Sequence, residues 1–147
     1  MQLRPYQESI IEKTRSRMKA GVRSCLITSP CGSGKTILTA FMLKRAAEKG
    51  IPSLFLVHRR ELIKQSIKAF GEVGVPHGVI ANNFNHDPRH LIQLASVQTL
   101  SRRVSKVTVP KLVIMDECHH VGASTWARIH ETFKDAFHVG LTATPER

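Results

Sequence analysis

The sequence predicts a single α/β domain of three layers, with helices on both faces of a mainly parallel sheet. Three observations predict it. Short apolar runs alternate with longer helical patterns along the chain, the rhythm of a parallel sheet. One run, Cys25-Leu26-Ile27-Thr28, enters a glycine-rich loop that opens directly into a helical pattern. Another, Leu112-Val113-Ile114-Met115, delivers two consecutive carboxylates, Asp116 and Glu117. A chain of 147 residues has room for one domain with a real core, and no linker or repeat divides residues 1–147.

The elements follow in order. Pro5 suits a first helical turn, and Ile10, Ile11, Thr14 and Met18 recur on one face up to Gly21. Val22 to Thr28 reads as a first buried strand. Residues 35–49 read as a helix stopped by Gly50, with Ile37, Leu38, Phe41 and Met42 apolar. Ser53 to Val57 is a second strand, and Glu61 to Phe70 a second long helix closing near Gly71. Val79 to Ala81 is a short strand before the polar loop Asn82 to His90. Leu91 to Ala95 is another strand, and Ser96 or Thr99 opens a short helix. Lys111 to Met115 is the most apolar strand pattern, followed by a helix near Ser124 to Lys134 and a last strand, Phe137 to Leu141.

Composition excludes several classes. No stretch approaches the roughly 20 apolar residues of a membrane span. The first twenty residues carry Arg4, Glu8, Glu12, Lys13, Arg15, Arg17 and Lys19, which leaves no apolar signal core. A soluble, cytoplasmic protein is expected. Cys25, Cys31 and Cys118 form no CxxC pair, against a disulfide framework. The eight histidines are scattered, and His86 and His90 flank Asp87-Pro88, a loop rather than a structural metal site. The formal net charge is +11, and residues 1–70 hold 14 Lys/Arg against 4 Asp/Glu. That excess favours a polyanion partner, although a solvated basic surface has the same composition.

Ser29-Pro30-Cys31-Gly32-Ser33-Gly34-Lys35-Thr36 between a strand and a helix is a phosphate-binding P-loop pattern. Gly32 and Gly34 let successive backbone N–H groups converge on phosphate oxygens, and the helix N-terminus adds partial positive charge. Lys35 is a compact cation for the β- and γ-phosphates of ATP, and the Thr36 hydroxyl is a magnesium ligand. Pro30, Cys31 and Ser33 complete the nucleotide loop. Asp116 follows four apolar strand residues at the sheet edge where ligands bind, so it reads as the carboxylate that holds Mg2+. Glu117 beside it reads as the group that activates the attacking water.

Leu3-Arg4-Pro5-Tyr6-Gln7, Pro30 to Thr36, Asp116-Glu117-Cys118-His119 and Leu141-Thr142-Ala143-Thr144-Pro145 occur in one order. In that order they resemble the first RecA-like motor domain of DExH-type superfamily-two helicases, close to the type III restriction-subunit-like group of bacteria and phages. The resemblance covers residues 3–145. It implies that Gln7 reads adenine, assisted by Arg4, and that His119, Thr142 and Thr144 couple hydrolysis to movement. It further implies that Arg59 and Arg60, and Thr99 extended by Arg102 and Arg103, contact a nucleic-acid backbone. A solvated helix face is the competing reading for these arginines. The single Trp and single Tyr exclude base stacking as the main mode of binding, so backbone tracking without sequence readout is expected. The bacterial and phage resemblance tilts the polymer toward DNA, with RNA left open.

The resemblance also implies a second RecA-like domain of the same polypeptide, beyond the Thr-Ala-Thr segment. The expectation is therefore an ATP-dependent helicase or translocase represented by its ATP-binding domain, which alone binds nucleotide weakly and turns it over slowly. Two other classes compete. A P-loop switch or kinase lacks reason for the Thr-Ala-Thr-Pro segment and the Arg-x-x-Gln start. A degenerate binding module would not keep Lys35, Thr36, Asp116 and Glu117 together.

Overall fold

The computed structural model describes residues 2–29, 34–58, 61–80, 89–103, 108–118 and 122–143; at 29, 61, 101–103 and 143 the backbone alone is described. Helix α1 spans Pro5–Lys19, with Pro5 in the first turn and Arg4 extended before it. Its buried stripe includes Ile11 and Thr14, and the Thr14 hydroxyl donates back to the Ile10 carbonyl at 2.8 Å, which hides its polarity. Strand β1 is Ser24–Ser29, α2 is Lys35–Glu48, β2 is Ser53–Val57 and α3 is Glu61–Val73. The chain continues through β3 (Gly78–Ile80), β4 (Ile92–Ser96), α4 (Val97–Arg103), β5 (Leu112–Met115), α5 (Ala123–Thr132) and β6 (Phe137–Ala143).

The six strands form one sheet in the order β1-β6-β5-β2-β4-β3, and every pairing is parallel. Alternate residues of each strand face opposite sides, so the sheet feeds two cores. One packs Phe55, Val57, Leu94, Ile114 and Val139 against α1, α2 and α3. The other packs Leu54, Leu56, Val113 and Met115 against Leu100 of α4, Ile129 of α5 and Phe133 just beyond it. The three-layer α/β/α arrangement with its parallel sheet is thus as the sequence predicts.

Three elements differ. Val22 to Thr28 reads as a buried strand, yet β1 is an edge strand: Leu26 is 59% exposed, and Ser24 and Thr28 also face solvent. The apolar run fits because its other face, Cys25 and Ile27, packs on the α1–α3 side. Helix α3 runs past Gly71 and closes at Gly74, where φ is 83°. The N–H groups of Gly74 and Val75 both return to the Phe70 carbonyl, at 2.9 and 2.8 Å, a closure that needs a left-handed residue. The extra turn buries Val73 and Val75, a gain that outweighs a glycine inside the helix. Strand β6 runs two residues beyond Leu141, which carries Thr142 into the sheet. No helix among the described residues is long and apolar enough to cross a membrane. The described residues hold no cluster of three metal-ligating side chains.

Candidate nucleotide site

The site forms where β1, β5 and β6 end. Strand β6 lies between the other two, with Ser29 opposite Ala143 and Met115 opposite Gly140. All run the same way, so the residues that follow β1 and β5 emerge on one rim of the sheet. In a parallel sheet that rim collects ligand-binding groups.

From β1 the chain reaches Gly34, which precedes α2 with φ 80° and ψ 35°, a left-handed conformation suited to glycine. A Cβ there would stand 3.1 Å from Nε2 of Gln7. Gln7 comes from the first turn of α1 and is only 4% exposed. Its amide oxygen accepts the Arg4 N–H at 2.8 Å, and its Nε2 donates to the Gly34 carbonyl at 3.4 Å. Gln7, for which the family resemblance implies adenine reading, has an exposed helix residue as its competing reading. Its burial against the last glycine of the phosphate loop removes that competing reading. Arg4 itself is exposed.

Lys35 and Thr36 open α2, both half-buried. Behind them the fully buried Thr39 hydroxyl donates to the Lys35 carbonyl at 3.0 Å and ties the first turn together. The Lys35 Nζ lies 3.9 Å from Oδ1 of Asp116, with both side chains largely shielded from solvent.

Asp116 is fixed by its own backbone, whose N–H donates to Leu56 of β2 at 2.9 Å. Its Oδ1 also accepts the Glu117 N–H at 3.0 Å. Glu117 has φ 49°, a left-handed conformation costly for a residue with a side chain, by about 1–2 kcal/mol. That turn takes the chain off β5 and leaves the Glu117 carboxylate half-exposed at the rim. Cys118 then folds back against β6: a Cβ on Gly140 would be 3.0 Å from its Sγ and 3.2 Å from Leu26. Burial pushes the Cys118 thiol above its usual range, so it stays protonated packing material. No motif assigns Gly140 a role; a glycine inside an apolar strand is the available signal, because it marks close approach.

Thr142 is half-buried on β6, opposite Thr28 of β1. Thr99 lies on the same rim of the same sheet, in α4 after β4. Ser96 caps α4 there, accepting the Thr99 N–H at 3.2 Å and contacting Thr99 Oγ1 at 2.9 Å. Pro30, Cys31, Gly32, Ser33, Arg59, Arg60, His119 and Thr144 lie outside the described residues, as do the side chains of Arg102 and Arg103.

An ammonium, a carboxylate and a hydroxyl at a helix N-terminus suit a polyphosphate with a divalent cation. Thr36 and Asp116 offer the hard oxygen donors that magnesium prefers, and Lys35 offers the cation that phosphate prefers.

The whole chain resembles known proteins in sequence and in fold. The family Type III restriction enzyme, res subunit, matches residues 1–147. The 51.5 kDa protein of Lactococcus phage (isolate 7-9) is 39% identical over 122 residues, which cover 83% of this chain and 24% of that protein. The chain therefore spans about a quarter of that relative. Two solved structures share the fold. The SWI2/SNF2 ATPase core of Sulfolobus solfataricus in complex with dsDNA has a TM-score of 0.78 at 22% identity, over 99% of this chain and 32% of that one. The Hef helicase domain of Pyrococcus furiosus has a TM-score of 0.77 at 22% identity, over 99% and 34%. The match of that family over the whole chain leads to one assignment: the chain belongs to the type III restriction enzyme res-subunit family.

Proposed function

We propose that this domain binds ATP with magnesium and serves as the hydrolytic half of a DNA translocase or helicase. The observation that carries the reading is the approach of Lys35 to Asp116, 3.9 Å apart on the rim where β1 and β5 end. Lys35 takes the β- and γ-phosphates, and backbone N–H groups of the loop before Gly34 cradle them. Thr36 and Asp116 hold magnesium, which when bound neutralises charge on the phosphates. Glu117 orients the attacking water and accepts its proton. Gln7 reads the adenine edge, with donor and acceptor on one amide, and its bond to Gly34 links base recognition to the phosphate loop. Thr142 passes the state of the site to the rest of the motor, together with His119 and Thr144.

The polymer is DNA contacted along its backbone, through Arg59, Arg60, Thr99, Arg102 and Arg103. In support, the Thr99 hydroxyl sits at a helix start, where N–H groups and partial positive charge favour phosphate. The net charge of +11 acts in the same direction. The dsDNA-bound Sulfolobus ATPase core shares the fold, and we extend its partner class to this chain. A second RecA-like domain of the same polypeptide completes the site and raises turnover by a factor on the order of 10³–10⁵, as trans-acting arginines do in related NTPases.

The test is titration of the 147-residue chain with a fluorescent ATP analogue, with and without magnesium. Magnesium-dependent binding that Lys35→Ala removes is the expected result. Binding unaffected by that substitution overturns the assignment.

A further inference from the structure

At the opposite rim from Lys35 and Asp116 lies a concavity about 330 Å³ in volume, between α1, α2 and the starts of β2 and β5. Its floor is Ile11, Met18, Met42, Ala46, Ile51 and Leu112. Its mouth carries Arg15, Arg45 and Lys49, with Glu48 the only acid among the lining residues. Arg45 is bound to Glu8 at 2.8 Å. Arg15 and Lys49 are exposed and make no ion pair among the described residues. Its place follows from topology. Ile51 precedes β2 and Leu112 opens β5, whereas Lys35 and Asp116 follow the strand ends.

We propose that this cleft is a docking site for an acidic peptide segment of a partner protein, anchored by one large apolar side chain. Two features select that occupant. An apolar floor flanked by two cations without an ion pair among the described residues, Arg15 and Lys49, complements a ligand that is apolar in the middle and anionic at its flanks. A nucleic-acid backbone supplies the anion but nothing to fill the floor. Met18 and Met42 supply the adaptable surface that lets a groove accept differing apolar anchors. The volume is at the small end for a binding pocket, enough for an anchor side chain rather than a cofactor. A partner held there leaves the nucleotide rim open, so both sites can be filled together.

The test uses the 147-residue chain and three short synthetic peptides. One is rich in Asp and Glu around a central Phe-Leu, one replaces Phe-Leu by Ser-Ser, and one replaces the acids by Lys. Methionine methyl NMR reports position, because Met18 and Met42 line the cleft while Met115 lies buried beside Asp116. The expected result is saturable binding of the first peptide, with shifts at Met18 and Met42 and none at Met115. The other two peptides bind at least about tenfold more weakly, and Arg15→Glu with Lys49→Glu weakens the first by about tenfold. Both substituted positions are exposed, and an unchanged thermal melt verifies the fold. Equal binding of the Ser-Ser peptide overturns the proposal, as does absence of binding. An oligonucleotide that displaces the peptide and shifts the same methyls also overturns it, assigning the cleft to nucleic acid. Lys35→Ala leaves peptide binding intact, so this site and the nucleotide site fail separately.

Discussion

Oδ1 of Asp116 is shared: it accepts the N–H of Glu117 at 3.0 Å and faces the ammonium of Lys35 at 3.9 Å. One carboxylate oxygen thus connects the start of α2, the end of β5 and the left-handed turn that follows. The lysine and the acid partly neutralise each other, which keeps two charges acceptable at a largely shielded place. Nucleotide and metal would replace that pair with stronger partners for each group, phosphate for the lysine and magnesium for the carboxylate.

On the proposed function, Lys35→Ala removes the cation that faces phosphate. In the protein carrying both motor domains, steady-state ATP turnover should fall by roughly 10²–10³-fold. A coupled phosphate-release assay measures it, and turnover near the parent level would contradict the assignment.

Glu117→Gln keeps the size and the left-handed turn but removes the base. Nucleotide affinity should stay within a few-fold while hydrolysis falls by about 10²–10⁴-fold. Binding by fluorescence and single-turnover hydrolysis separate the two. Loss of binding with the fold intact would take the water-activating role away from Glu117.

Gly34→Ala meets two obstacles, the left-handed backbone at φ 80° and Nε2 of Gln7 at 3.1 Å. The substitution should destabilise the domain by about 1–2 kcal/mol and weaken nucleotide binding, read as a lower melting temperature and a higher Kd. Pairing it with Gln7→Ala should recover part of the stability, because the crowding disappears while the backbone strain remains.

Stability should also depend on pH through a pair of histidines. His138 of β6 lies under His130 of α5, rings stacked with centroids 3.9 Å apart, and Trp126 covers His130. Burial holds both imidazoles below the usual 6.5; for His130 the neighbouring His138 adds to this, and for His138 the bond to the Phe133 carbonyl partly opposes it. Below 6.5 the unfolded chain takes up protons that the folded chain resists, so unfolding gains as pH falls; above it the penalty is absent. The urea midpoint should fall between about pH 7.5 and about pH 5.5, and His138→Phe should flatten that dependence. A slope unchanged by the substitution would clear the pair of responsibility.

Arg59→Ala with Arg60→Ala should weaken DNA binding and reduce the slope of log K against log salt by about 1.5. Fluorescence anisotropy over a salt series gives that slope. An unaltered value returns both arginines to a solvated surface.

The sequence carried the central arrangement because local patterns define it. A glycine-rich turn into a helix and a pair of acids after four apolar residues have meaning wherever the sheet places them. The layers were legible for the same reason, through periodicity. Neighbour relations were not. Cys25, Leu26 and Ile27 read as a buried run, yet no local feature says that β1 takes the sheet edge. Gly71 looked like a helix stop, but burial of Val73 and Val75 drew α3 on to Gly74. The His130–His138 stack depends on α5 crossing β6, and the Cys118–Gly140 contact on two strands lying side by side. Both depend on tertiary placement that a single sequence does not encode locally.

The pairing of β1 with β6 also sets a timetable. Strand β1 finds its one sheet neighbour among the described residues, Ser24 through Ser29 opposite His138 through Ala143, more than a hundred residues later in the chain. On a ribosome moving at about 5–20 residues per second, β1 waits on the order of ten seconds before that neighbour is made. During synthesis the nascent domain can assemble β2, β3 and β4 early, yet the rim that carries Lys35 and Asp116 cannot mature until β6 has emerged.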